Sequence, residues 1–162
     1  VQSEVGKGTT FKIFLPRVHG VLASVTQAKP QRTLMPGGTE RILLVEDEAT
    51  IRRVSSLALT DLGYDVVTAL SGAQALETLE TEPEPFALLI TDMVMPVMGG
   101  RALADQVKEK YPDTRIIFTT GYTEEAMAEG DELGEFSYFL PKPYTLPALA
   151  KAVRQLLDKV VE

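Results

Sequence analysis

From Arg41 onward, short apolar runs alternate with longer segments in which apolar residues recur every three or four positions. "RILLVE" (Arg41 to Glu46) reads as a strand. The segment after it carries Ile51, Val54, Ala58 and Leu62 at helical spacing. Gly63 ends that helix, and "YDVVTA" (Tyr64 to Ala69) predicts a second strand. Ser71 with Gln74 forms a capping box that opens a helix reaching about Thr81. "FALLIT" (Phe86 to Thr91) is a third apolar run, and a helix follows Gly99-Gly100 and stops near Tyr111-Pro112. "RIIFTT" (Arg115 to Thr120) predicts a fourth strand, and Thr123 starts a short acidic helix. "YFL" (Tyr138 to Leu140) is a fifth strand. A last helix carries Leu146, Leu149, Val153, Leu156 and Val160 on one face.

Five strands alternating with five helices predict an α/β fold with a doubly wound parallel sheet. The first, third and fourth strands are continuously apolar, as expected when helices cover both faces of a sheet. Ligands of such sheets bind at the carboxyl ends of the strands, near the switch in strand order. The residues just past each strand are therefore the candidate site. Residues 19–40 show no sustained period and contain Pro30, Pro36 and Gly37-Gly38, which reads as a linker. The organisation expected is a short first piece over 1–18, a linker over 19–40 and the α/β unit over 41–162.

Composition narrows the function. Residues 1–39 hold five Lys/Arg and one acid, whereas residues 40–162 hold eleven Lys/Arg and 22 acids. The larger part repels phosphate backbones, so no nucleic-acid partner is expected. No apolar run approaches the roughly 18 residues that span a bilayer, and no membrane contact or signal peptide is expected. The absence of cysteine excludes disulfides and thiolate metal sites, and suits a cytoplasmic location.

Past the first strand come Glu46, Asp47 and Glu48, and past the third comes Asp92. The fourth ends in Thr120-Gly121, and the fifth runs into Lys142-Pro143. Carboxylates converging on one rim repel one another unless a cation lies between them. Hard oxygen ligands favour Mg²⁺. A metal, a carboxylate nucleophile, a hydroxyl and an ammonium together are equipment for phosphoryl transfer.

These residues carry a resemblance. "LLVEDE" (Leu43 to Glu48), "LLITDMVMPVMGG" (Leu88 to Gly100), "FTTGY" (Phe118 to Tyr122) and "FLPKPY" (Phe139 to Tyr144) resemble, in order and spacing, the receiver domain of two-component response regulators. The resemblance implies a flavodoxin-like sheet of order 2-1-3-4-5. It makes Asp92 the phosphoacceptor. Glu46 and Asp47 become the acidic pair for Mg²⁺, with Asp92 and the backbone carbonyl of Val94 as further ligands. Glu46 stands where many relatives carry Asp. Thr120 becomes the switch hydroxyl and Lys142 the phosphate-binding lysine. The Lys142-Pro143 bond is expected cis, and Phe139 occupies the aromatic switch position. Phosphorylation from a phosphohistidine would then repack the face made by the fourth helix, the fifth strand and the fifth helix. A homodimer through that face is a further expectation, and Tyr122 is expected to shield the phosphoryl group from water.

The opening stretch "SEVGKGTTFKIFLP" looks like a phosphate loop but fails the P-loop spacing, because Lys7 is followed by Gly8 and the first glycine would fall at Val1. Residues 3–18 resemble instead the last segment of a sensor histidine kinase ATP-binding domain, a glycine-rich loop and then a final strand. No output domain is expected after Glu162, and the order resembles the C-terminal receiver of a hybrid kinase. Its partner would be the parent's own histidine domain or a histidine phosphotransfer protein. The chain itself is expected to bind no ATP and not to be a kinase.

Met93, Met95 and Met98 are expected to pack around the loop after Asp92, not to bind metal. The six acids from Glu124 to Glu135 form a solvated face or help to discriminate partners. His19 is assigned no role. An Mg²⁺-dependent aspartyl phosphohydrolase would need a second aspartate where Val94 stands. A receiver-like interaction module would not need the complete acid, Thr and Lys set.

Overall fold

The structure, a computed structural model, describes residues 1–14, 35–121 and 137–159. It divides into two units, Val1–Thr33 and Leu34–Glu162. In the first, β1 (Gln2–Glu4) and β2 (Gly8–Thr10) pair antiparallel, Glu4 opposite Gly8. Gly6 and Gly8 take φ values of 80° and 96°, so the glycine-rich stretch that imitated a phosphate loop turns a hairpin.

In the second unit the apolar runs form β3 (Arg41–Val45), β4 (Asp65–Ala69), β5 (Leu88–Asp92), β6 (Arg115–Thr120) and β7 (Ser137–Pro141). They build one parallel sheet of order β4-β3-β5-β6-β7. This is the anticipated order, with the switch between β3 and β5. Four described helices pack on it: α1 (Ala49–Asp61), α2 (Gly72–Thr81), α3 (Gly100–Lys110) and α4 (Leu146–Leu157). The acidic helix expected from Thr123, like His19 and Tyr122, lies outside the described residues. No described helix is long and apolar enough to cross a membrane.

Strand alternation sends successive side chains to opposite faces and makes two cores. Leu43, Val45, Leu89, Ile116 and Phe118 meet Leu79, Leu103 and Val107 of α2 and α3. Ile42, Leu44, Leu88, Ile90 and Ile117 meet Leu59, Leu149, Val153 and Leu156 of α1 and α4. Burying each such side chain stabilises the fold by roughly 1.5–3 kcal/mol, so β3, β5 and β6, covered on both faces, are held hardest.

Helix ends follow the expected signals with two differences. Ser71 caps α2 by accepting the Gln74 N–H at 3.3 Å, but the Gln74 amide oxygen accepts from Leu70 at 2.8 Å instead of closing the box on Ser71. The buried face of α1 is also not the stripe the periodicity suggested. Ser55 and Leu59 point inward, while Val54 and Leu57 are exposed. A buried serine interrupts the apolar pattern, and the pattern then slips by a residue. α1 ends as expected at Gly63, whose φ of 99° admits few side chains and where a Cβ would lie 2.7 Å from the Gly38 carbonyl oxygen.

The residues ahead of β3 are tied to later parts of this unit. The Gly38 N–H donates to the Leu62 carbonyl at 3.2 Å. Arg154 of α4 clasps both carboxylate oxygens of Glu40, at 2.7 and 3.2 Å, and donates to the Gly37 carbonyl at 3.4 Å. The bond from Arg154 is the main reason that the Glu40 carboxyl ionises below its ordinary value of 4.5. A lowered folded-state value contributes stability above the ordinary value and loses it as the pH falls through the folded one. Glu40→Gln should therefore lower unfolding free energy by about 1 kcal/mol at neutral pH. In urea titrations the gap to wild type should shrink steadily below about pH 4. A gap that does not change with pH would contradict this account.

Candidate functional site

Because β3 and β5 are adjacent and parallel, their carboxyl ends lie side by side, and the acids that follow them converge. Oxygens of Glu46, Asp47 and Asp92 lie within 4.8 Å of one another. Glu46 leaves β3 with its N–H bound to the Ala69 carbonyl at 3.2 Å, and its side chain is buried. Asp92 closes β5, and its Oδ1 accepts the Val94 N–H at 3.2 Å.

Lys142 reaches the same point from the end of β7. Its backbone N–H donates to the Thr120 carbonyl at 2.7 Å, and the Lys142-Pro143 bond is cis. Its Nζ lies 2.6 Å from Asp92 Oδ2 and 2.9 Å from Glu46 Oε2. Burial alone would lower the ammonium's pKa, but the bonds to Asp92 and Glu46 outweigh it and hold the group above its ordinary range. Burial pushes the Glu46 carboxyl up, and Lys142 opposes that shift. One ammonium thus faces several acids, with capacity left for a cation. The donor set is all oxygen and anionic, which fits a hard divalent ion such as Mg²⁺.

The remaining anticipated residues fall around this centre. Thr120 ends β6 and is buried, as is Thr119. Phe139 of β7 is partly buried and stacks on Phe118 with ring centroids 5.2 Å apart. Val94 presents its side chain to solvent. Glu48 caps α1 without a side-chain bond and donates its N–H to Glu46 Oε1 at 3.4 Å. Met93, Met95 and Met98 pack into the α2/α3 core, as expected.

Three contributors were not legible. Arg52, in the first turns of α1, donates to the carbonyls of Glu46 at 2.6 Å and Asp47 at 3.2 Å. Tyr144 bonds Ser55 at 3.3 Å under a groove of about 480 Å³ beside Lys142. Gly100 brings the start of α3 against β5, and a Cβ there would lie 2.3 Å from the Asp92 carbonyl oxygen. A glycine pair after the acid was visible as a helix start; its close approach to the backbone was not.

Known proteins give the same picture. The family model for the response regulator receiver domain matches residues 42–154. The sensor kinase CckA of Brucella abortus (strain 2308) is 39% identical over 163 aligned residues, which cover 97% of this chain and 17% of that protein. The response regulator receiver protein CpdR of the same organism is 39% identical over 118 residues, 73% of this chain and 97% of CpdR. The chain thus spans a small part of one relative and nearly all of the other. Among solved structures, a CheY-like receiver from Methanospirillum hungatei JF-1 superposes with a TM-score of 0.67 at 27% identity, covering 75% of this chain and 95% of that one. Chemotaxis response regulator CheY4 of Vibrio cholerae superposes with a TM-score of 0.66 at 32% identity, over 74% and 99%.

Two substitutions test the loop that carries the acid. Gly100→Ala should cost about 1–3 kcal/mol, because the neighbour it meets is backbone that cannot yield cheaply. Val97, at φ 68° in the same loop, holds a β-branched residue in the left-handed region. Val97→Asn should raise stability by about 1 kcal/mol. Equilibrium unfolding in urea reads both, and opposite signs are expected.

Proposed function

The chain belongs to the response regulator receiver family of two-component signalling, and from that premise we propose that Asp92 is its phosphoacceptor. The observation that carries the reading is Lys142 Nζ at 2.6 Å from Asp92 Oδ2, beside an acid cluster at the strand-order switch. In the proposed reaction an Asp92 carboxylate oxygen attacks the phosphorus of a phosphohistidine. The P–N bond breaks, its electron pair stays on the imidazole nitrogen, and an acyl phosphate forms on Asp92. Lys142 meets the incoming phosphoryl oxygens, and the Thr120 hydroxyl donates to them. Glu46, Asp47, Asp92 and the Val94 carbonyl would hold Mg²⁺. When bound, such an ion offsets charge on the phosphoryl group.

Formation of the acyl phosphate draws Lys142 and Thr120 toward the new charge. Phe139, stacked on Phe118 beside them, transmits the change to the β7/α4 face. That face, with the segment after Thr120, is where a partner or a second copy would read the state. The phosphodonor is a histidine kinase domain or a histidine phosphotransfer protein. The groove lined by Ile51, Val54, Ser55, Tyr144 and Leu146 gives it an apolar landing beside Lys142.

We further place this receiver at the C-terminal end of a cytoplasmic portion of a hybrid sensor kinase. Residues 1–18 would be the tail of its ATP-binding domain, 19–40 a linker and 41–162 the receiver. The support is that the match to CckA covers 97% of the chain, whereas the match to CpdR covers 73%.

Incubation with a small acyl phosphate donor and Mg²⁺ should add one phosphoryl group, read by intact mass. Asp92→Asn or chelation of the metal should abolish the addition. Full labelling of Asp92→Asn would overturn the assignment. Continuous release of phosphate at a rate matching donor consumption would favour a phosphohydrolase, and no labelling of wild type would favour an interaction module.

A further inference from the structure

The acid pair after β3 is held unevenly. Glu46 is fixed through its N–H on Ala69, its Oε2 on Lys142 and its Oε1 on the Glu48 N–H. Asp47, the next residue, is exposed on the loop between β3 and α1. Its backbone is tied by Arg52. A single nitrogen, Nη1, donates to the Glu46 carbonyl at 2.6 Å and to the Asp47 carbonyl at 3.2 Å. Hydrogen bonds from a charged donor are about twice as strong as neutral ones. Two successive carbonyls on one guanidinium fix the peptides on either side of the Asp47 Cα. That sets the direction in which the Asp47 carboxylate leaves the loop.

We propose that Arg52 is a positioning residue for the cation site: it acts on the metal through Asp47 without touching it. The inference rests on the reading that Glu46, Asp47 and Asp92 hold a divalent ion. Arg52 also carries the same sign of charge as that ion. If it acted only as a nearby charge, its removal would tighten cation binding. If it acts by holding the loop, its removal weakens binding. The two roles predict opposite signs.

The test uses the whole chain, titrated with Mg²⁺ and followed by amide chemical shifts in Arg52→Met, Arg52→Lys and wild type. Arg52→Met should weaken Mg²⁺ affinity about tenfold, as loss of an outer partner of a metal ligand typically does. Arg52→Lys, which keeps the charge on a shorter and more mobile stem, should lose roughly threefold. Unchanged or tighter binding in Arg52→Met overturns the proposal. So does a loss of affinity matched by a large fall in thermal midpoint, which would assign Arg52 to the fold. The second reading needs no metal. Order parameters of the Asp47 and Glu48 amides should fall in Arg52→Met from the rigid level of about 0.85 toward 0.6, with those of β3 unchanged. If wild type binds no Mg²⁺, the metal reading fails by itself. The order parameters then decide whether Arg52 holds the loop, and no change in them overturns that role.

Discussion

Like charge confined to a small volume is the constraint on which the rest of the site depends. Oxygens of three acids lie within 4.8 Å, one of them on a buried glutamate, and Lys142 faces two of them. Such a cluster is costly unless it is supported from all sides. Each element around it supplies part of that support. β7 sends in the ammonium, β6 fixes the backbone from which Lys142 departs, and α1 ties the loop through Arg52. The cluster is tolerated because Glu46 and Asp92 are set by two adjacent strands buried on both faces.

That division of labour separates stability from chemistry. The two cores lie along the strands and are built mainly of apolar side chains, whereas the acids, Thr120 and Lys142 stand at or just past the strand ends. Phe118 and Phe139 stand where the two regions meet. Phe118 is fully buried in the core, and its stacked neighbour lies one strand further toward the edge. Their contact joins the buried middle of the sheet to its outer strand.

Much of this was legible in the order of residues. β3, β5 and β6 stood out because strands covered on both faces are apolar without interruption. The site followed from asking what stands after each strand. What escaped reading depends on three-dimensional approach. Ser55 broke the apolar pattern of α1, so its inward face was placed a residue away and the exposure of Val54 and Leu57 was hidden. Arg52 resembled any helical arginine until the loop folded back over it. Gly100 read as a helix start, yet it is glycine because α3 begins against the Asp92 carbonyl. In residues 2–10 the glycines mark a turn, but the strand ahead of it, β1, is not legible from them.

The clasp of Arg154 on Glu40 also decides where this unit can be cut. The compact portion starts at Leu34, and its margin includes Gly37, Gly38 and Glu40, ahead of the first strand. A Cβ on Gly38 would run into the Glu40 carboxylate, the Arg154 guanidinium and the Tyr64 ring, so a side chain there would have to displace the clasp. Excision at Arg41 would leave an arginine on the last helix without its carboxylate and would uncover the turn at Gly63. Transplantation into another protein therefore has to carry the glycine pair along, as part of the domain and not as spacer.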